Sequence, residues 1–170
     1  MEIPSRLDGV PVGEIGKEAF SKKPSLKSVA IPDSVEVVGE KAFYDCKNLE
    51  ELRLGRGIKK IEKEAFNSCI SLKSVEIPGS VESVGEWAFK DCSELEELHL
   101  GAGIIKIEKS AFWRCRSLKS VEIPDSVESV SEYAFDNCCS LRRVVDHSNR
   151  SDDAFDFDTY YKLELQWPGL

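Results

Sequence analysis

Long apolar runs are missing from this chain. No stretch of its 170 residues approaches the ~20 consecutive apolar residues that a membrane-spanning helix needs. The opening Met1-Glu2-Ile3-Pro4 has neither a basic n-region nor an apolar h-region, so it does not read as a signal peptide. An excess of positive charge is missing as well. The balance of 23 Lys and Arg against 31 Asp and Glu gives a net charge of −8, and an acidic surface repels phosphate backbones and anionic membranes. Nucleic acid and membrane insertion are therefore not expected.

Chemistry-bearing constellations are equally scarce. The two histidines, His99 and His147, have no Cys, Asp or Glu at metal or triad spacing. The six cysteines form no C-x-x-C pair. Gly55-Arg56-Gly57 and Gly101-Ala102-Gly103 are G-x-G fragments without the helix pattern that follows a phosphate loop. The carboxylates are spread evenly, as on a solvated face. These absences predict no catalytic residue, no metal and no cofactor, and the chain reads as non-enzymatic.

What is present is a repeat. Ala-Phe pairs end at Phe20, Phe43, Phe66, Phe89, Phe112 and Phe135, each step being 23 residues. The same register aligns Leu26, Leu49, Leu72, Leu95, Leu118 and Leu141. It also aligns Val29, Leu52, Val75, Leu98, Val121 and Val144. A further column, Ile31, Leu54, Ile77, Leu100 and Ile123, breaks at Asp146. Pairs such as Val81 and Val84 recur on the far side of each unit. Each Leu-to-Ile stretch ends in period-2 alternation with β-branched residues, which predicts a short strand stopped by Pro32, Pro78 and Pro124 or by Gly55 and Gly101. One unit alone cannot bury these columns; stacked units bury them against each other.

The unit L-x-x-[VL]-x-[IL]-[PG]-x-x-[VI]-x-x-[VI]-x-x-x-A-F-x-x-C, registered over roughly Val10 to Val145, resembles the BspA-like, Treponema-type leucine-rich repeats. The resemblance implies a right-handed, mainly β solenoid of about six coils. It implies a parallel sheet on the concave face and short extended or 3-10 segments on the convex face. It also implies macromolecular binding without catalysis, often at a cell surface or outside the cell. Residues 1–18 are expected to form an N-terminal cap and partial repeat, 19–146 the repeats, and 147–170 a polar linker and C-terminal capping segment. In the last, Phe155, Phe157, Tyr161, Leu163, Leu165 and Trp167 alternate with mostly polar residues. That segment can instead dock on a partner or on a second copy, making the chain a monomer or a weak oligomer.

A second period overlies the first. Units with Ile31, Ile77 and Ile123 carry I-P-x-S-V-E, whereas those with Leu54 and Leu100 carry L-G-x-G-I, so the full period is 46 residues. Charge alternates along it, through Lys17, Glu40, Lys63, Glu86, Lys109 and Glu132, and through Lys27, Glu50, Lys73, Glu96 and Lys119, the second column then ending on Arg142. Coils about 4.8 Å apart would make every neighbour in such a column attractive. Such regularity fits recent duplication or a consensus-designed scaffold. Cys46, Cys69, Cys92, Cys115 and Cys138 follow the 23-residue period and read as a ladder of buried, reduced thiols, since side chains in one column point the same way rather than at each other.

Two surfaces are candidates for a partner, a protein or another macromolecule. The first is the concave face, whose outward residues include Ser74, Glu76, Glu97, His99, Ser120 and Glu122. It is polar, acidic in its middle and poor in aromatics, so it suits a basic or hydrogen-bonding partner, or is simply solvated. The second is aromatic. Trp87 and Tyr133 share a column with Ser110 between them, and Trp113 follows Ser110 by three residues, so the three rings are expected in one exposed or half-exposed cluster beside the Ala-Phe corner. The alternative is that they cover the Phe column or accommodate the tail. The chain thus reads as a binding module or as a structural spacer attached through its C-terminal segment.

Overall fold

The two apolar runs of each unit become two strands on opposite sides of a coil. The structure, a computed structural model, describes residues 1–148 and the backbone of Glu164–Gln166. At the start, β1 (Arg6–Leu7) and β2 (Val10–Pro11) form an antiparallel hairpin around Asp8-Gly9, both at positive φ. Two-residue strands then build one side: β3 (Glu14–Ile15), β5 (Val37–Val38), β7 (Lys60–Ile61), β9 (Ser83–Val84), β11 (Lys106–Ile107) and β13 (Ser129–Val130). They pair in parallel as one continuous six-stranded sheet. The concave side carries β4 (Ser28–Ala30), β6 (Glu51–Arg53), β8 (Ser74–Ile77), β10 (Glu97–Leu100), β12 (Ser120–Ile123) and β14 (Arg143–Asp146). Their alternation places Val29, Val75, Leu98, Val121 and Val144 in the core and leaves Glu76, Glu97, His99 and Glu122 exposed. The convex segments are extended strands, and no helix occurs among the described residues.

The Ala-Phe corner closes the third side. Its backbone is not a strand, yet it makes the most regular contacts between coils. Alternate N–H groups point along the solenoid axis: Glu64 donates to Glu86, Phe66 to Ala88 and Ser68 to Lys90, at 2.9, 2.8 and 2.8 Å. The same three bonds recur from corner to corner along the chain. Aiming three alternate N–H groups the same way forces two left-handed residues per corner, Glu64 (φ 56°) and Ser68 (φ 63°) in this coil. Inside the corner the six Phe rings form one offset stack, with centroids 5.1–5.4 Å apart and planes within 12°. Phe43, Phe66, Phe89 and Phe112 are wholly buried, and each removes about 3–5 kcal/mol if cut to Ala.

The cysteine column is explained by this corner. Each thiol donates to the Phe carbonyl of the preceding coil, at 3.1 Å for Cys46 to Phe20 and 3.3–3.4 Å for Cys69, Cys92, Cys115 and Cys138 to Phe43, Phe66, Phe89 and Phe112. A small apolar side chain with one weak donor fits a buried site holding one carbonyl. Desolvation on burial pushes the Cys69, Cys92 and Cys115 thiols well above the ordinary range. Cys139, outside the column, is exposed.

The 46-residue period has a steric origin that the charge ladders do not reveal. At the turn after the concave strand, successive coils nearly touch. A Cβ on Gly57 would lie 1.9 Å from the Asp33 carbonyl oxygen, and one on Gly103 the same distance from that of Gly79. Even units therefore carry glycine there. Odd units carry Ser34, Ser80 and Ser126, whose hydroxyls donate to the carbonyls of Val12, Ile58 and Ile104 at 2.9, 2.7 and 2.8 Å. The ladders are correspondingly less complete than expected. In the first, Lys17–Glu40 (3.0 Å), Lys63–Glu86 (2.8 Å) and Lys109–Glu132 (3.6 Å) pair across alternate gaps only. In the second, only Lys119–Glu96 forms an ion pair among the described residues. These groups are largely exposed, which limits each pair to ~0.2–1 kcal/mol.

Both ends are treated specially. Ile3 occupies the leucine column and is buried, Glu2 bridges to Ala30, and the Ile3 N–H donates to the Ala30 carbonyl at 3.1 Å. At the other end Asp146, which breaks the isoleucine column, is buried and accepts from the Ser148 N–H (2.9 Å) and hydroxyl (2.6 Å). Glu164–Gln166 runs parallel to Arg143–Val145 as a further strand, β15. The rest of the expected linker and cap, from 149 onward, lies outside the described residues.

Two outcomes test this packing. Gly57→Ala and Gly103→Ala should each cost at least about 2 kcal/mol in denaturant titrations, whereas Gly79→Ala, where the nearest atom to the new methyl is 3.8 Å away, should stay within ~0.5 kcal/mol of the parent. A thiol-alkylating reagent on the native protein should modify Cys139 at once and Cys69, Cys92 and Cys115 only as the chain unfolds; rapid loss of all six thiols would contradict the ladder.

Candidate functional site

Outside the Phe stack, each corner presents two columns of side chains. One is the first left-handed position, occupied by Glu18, Lys41, Glu64, Trp87, Ser110 and Tyr133, all with φ between 53° and 59°. The other lies three residues on, at Ser21, Tyr44, Asn67, Lys90, Trp113 and Asp136. The left-handed region is least costly for Gly, Asn and Asp and most costly for bulky side chains. Trp87 and Tyr133 are thus poor residues for the backbone they occupy. Backbone bonds hold Trp87 there, its N–H donating to Lys109 at 3.1 Å, but the ring contributes nothing to that bond.

The structure brings the aromatic residues to one surface, though not into ring-to-ring contact. Cations stand between them. Lys90 Nζ lies 5.3 Å from the Trp87 ring centre and 5.0 Å from that of Trp113. Lys63 covers Trp87 at 4.6 Å, the Arg114 guanidinium covers Trp113 at 3.9 Å, and Lys109 lies 5.6 Å from Tyr133. Carboxylates complete the surface. Glu86 holds Lys63, whose ammonium it shifts to a higher pKa through their hydrogen bond, and Asp136 accepts from Trp113 Nε1 at 3.0 Å. Trp87 and Trp113 are half-buried, and Tyr133 is exposed. The result is a mixed aromatic and charged face. Exposed cation–π contacts of this kind are worth ~0.5–1 kcal/mol each, so a partner can displace them.

Lys63, Lys90, Lys109, Arg114 and Asp136 are missing from the sequence-derived site. One signal was available: Lys90 precedes Trp113 by one 23-residue period, which seats it beside that ring on the previous coil.

The concave candidates are arranged differently. Register pairs Glu97 with Ser74 and His99 with Glu76 on neighbouring strands. Ser120 and Glu122 sit on β12, which pairs with β14 and not with β10. His147, which has no partner at metal or triad spacing in the sequence, reaches back so that its Nε2 lies 2.8 Å from Glu122 Oε1. No aromatic side chain stands among these residues. Among the described residues no group of three His, Cys, Asp or Glu could hold a metal ion, and no helix is long and apolar enough to cross a membrane.

Comparison with known proteins follows the same lines. Residues 13–142 match the BspA type leucine rich repeat region, in six copies. The chain is similar to a leucine rich repeat protein of T. pallidum, with 31% identity and a TM-score of 0.83 over 91% of this chain and 71% of that one. It is also similar to a leucine rich cell surface protein from Faecalibacterium prausnitzii, with 27% identity, TM-score 0.66, and coverage of 90% of this chain and 49% of that one. The pneumococcal vaccine antigen PcpA matches at 26% identity and TM-score 0.76, over 86% of this chain and 40% of that one. The chain thus spans less than half the length of the latter two. No curated protein matches it. Six matched copies of the unit over residues 13–142, together with the likeness to the treponemal protein, place this chain in the BspA type leucine-rich-repeat family.

Proposed function

We propose that this chain is a non-catalytic binding module that takes a protein partner on the outer face of its Ala-Phe corners, around Trp87, Trp113 and Tyr133. Leucine-rich-repeat chains of this family typically bind proteins. The observation that carries the placement is the occupancy of the left-handed column. Serine, glutamate and lysine satisfy that backbone elsewhere, so large rings at Trp87 and Tyr133 are not there for the fold. Two half-buried Trp and an exposed Tyr flanked by Lys and Arg, with carboxylates at the margin, is the composition of an interface centre and rim. The acidic concave sheet lacks such anchors and serves as a secondary, electrostatic surface. The cell-surface protein of F. prausnitzii and the pneumococcal vaccine antigen support a surface or secreted setting for this chain too. The strand Glu164–Gln166, continuing the concave sheet, favours a capping role for the tail over a docking role.

Affinity capture from surface extracts and secreted material of the source organism's environment tests this reading, with circular dichroism confirming each variant's fold. A partner held by the parent should be lost with Trp87→Ala/Trp113→Ala and kept with Glu97→Lys/Glu122→Lys. The opposite pattern would move binding to the concave face, and capture unchanged by the tryptophan pair would overturn the proposal.

A further inference from the structure

The coils do not stack evenly. On the concave side, backbone pairing joins β4 to β6, β8 to β10 and β12 to β14. No strand pairing joins β6 to β8 or β10 to β12 among the described residues. The difference is visible bond by bond. Within the first couple the Glu50 and Glu51 N–H groups converge on the Lys27 carbonyl at 2.8 and 3.2 Å. Within the second, those of Glu96 and Glu97 converge on the Lys73 carbonyl at the same distances. The equivalent groups of Lys73 and Ser74, and of Lys119 and Ser120, reach no carbonyl of the coil before them among the described residues.

Packing of side chains divides the coils at the same places. The two closest backbone approaches that only glycine allows, at the turn after the concave strand, fall inside the couples: Cβ positions on Gly57 and Gly103 would each lie 1.9 Å from the Asp33 and Gly79 oxygens, respectively. Across the seams one backbone bond remains just before each strand, Ser71 to Lys47 at 3.3 Å and Ser117 to Ser93 at 3.2 Å, and side chains bridge the rest. Ser80 and Ser126 hydroxyls reach the Ile58 and Ile104 carbonyls at 2.7 and 2.8 Å, Lys41 meets Glu64 at 3.6 Å, and Lys119 meets Glu96. The other two sides of the solenoid ignore the seams. The six-stranded sheet is unbroken, and the corner ladder crosses both, with Phe43 donating to Ala65 at 2.7 Å and Phe89 to Ala111 at 2.8 Å.

We infer that the solenoid is an array of rigid two-coil modules hinged at two seams, β6/β8 and β10/β12, where the concave strands part and reclose about the continuous sheet and corner ladder. Couples tied by concave ladder bonds move together; seams that lack those ladder bonds are where the curvature changes. The second seam runs through the concave candidates, with Glu97 and His99 on one bank and Ser120 and Glu122 on the other. A ligand lying across both banks sees a variable spacing and fixes it when bound.

Two measurements on the full chain test this. Residue-resolved amide exchange, corrected for intrinsic rates, should show Lys73, Ser74, Lys119 and Ser120 exchanging at least about tenfold faster than Glu50, Glu51, Glu96 and Glu97. The Phe43 and Phe89 amides, which cross the seams in the corner ladder, should be as protected as those of Phe66 and Phe112. Spin labels then read motion rather than missing bonds. In a Cys139→Ser background, labels at Glu97→Cys and Ser120→Cys, across a seam, should show weaker and more dispersed dipolar broadening than labels at Ser74→Cys and Glu97→Cys, within a module. Equal amide protection, loss of protection at Phe43 and Phe89, or matching spectra for the two label pairs would each overturn the inference.

Discussion

The fold depends on how one coil's corner is read by the next. Three alternate N–H groups of each Ala-Phe corner point along the axis at three carbonyls one coil on, and nearly every regular residue answers to that arrangement. It forces two left-handed residues per corner. It sets the spacing at which the Phe rings stack offset rather than collide. It leaves the Phe carbonyl facing the following coil, where the cysteine thiol takes it up. The strands add to this frame without being continuous on every side, since the concave sheet is interrupted where the corner ladder is not.

Much of this was legible in the chain because the repeat reports burial directly. From the second unit on, the Leu, Ala, Phe and Cys columns are buried and the Val and Ile columns buried or partly so, since an apolar position repeated from unit to unit faces the core. Backbone-level features were harder to read. Lysine, glutamate, serine and tryptophan at one column give no hint of a positive φ, because inter-coil bonds override the local preference of each residue. Charge alternates along the 46-residue period, yet the contact that separates the two unit types is a glycine against a carbonyl oxygen, a distance that no pattern of residue types encodes. The aromatic surface was located by its column, but its lysines were not, and His147 reaches Glu122 across 25 residues, outside any repeat spacing.

These observations separate two classes of residue. Those that obey the repeat hold coils together; those that break it lie on the corner surface and towards the two ends. Trp87 and Trp113 belong to the second class even though they sit within the repeat, since their neighbours in column manage with Ser, Lys, Asn and Tyr. The seams add a mechanical layer. Unequal stacking gives a solenoid of near-identical units a built-in place to bend, within the acidic concave face and on the side away from the aromatic corner.

The most direct test of this division is a denaturant titration of two variants beside the parent. In Phe66→Ala a repeat residue is removed; in Trp87→Ser/Trp113→Asn two repeat-breaking rings are returned to residue types found in their own columns. The account predicts a loss of about 3–5 kcal/mol for the first and less than about 2 kcal/mol for the second, the latter being cation–π contacts and one exposed-edge hydrogen bond. Equal losses for both would mean that the tryptophans are part of what holds the coils together, and the assignment of the aromatic corner to a partner would fail.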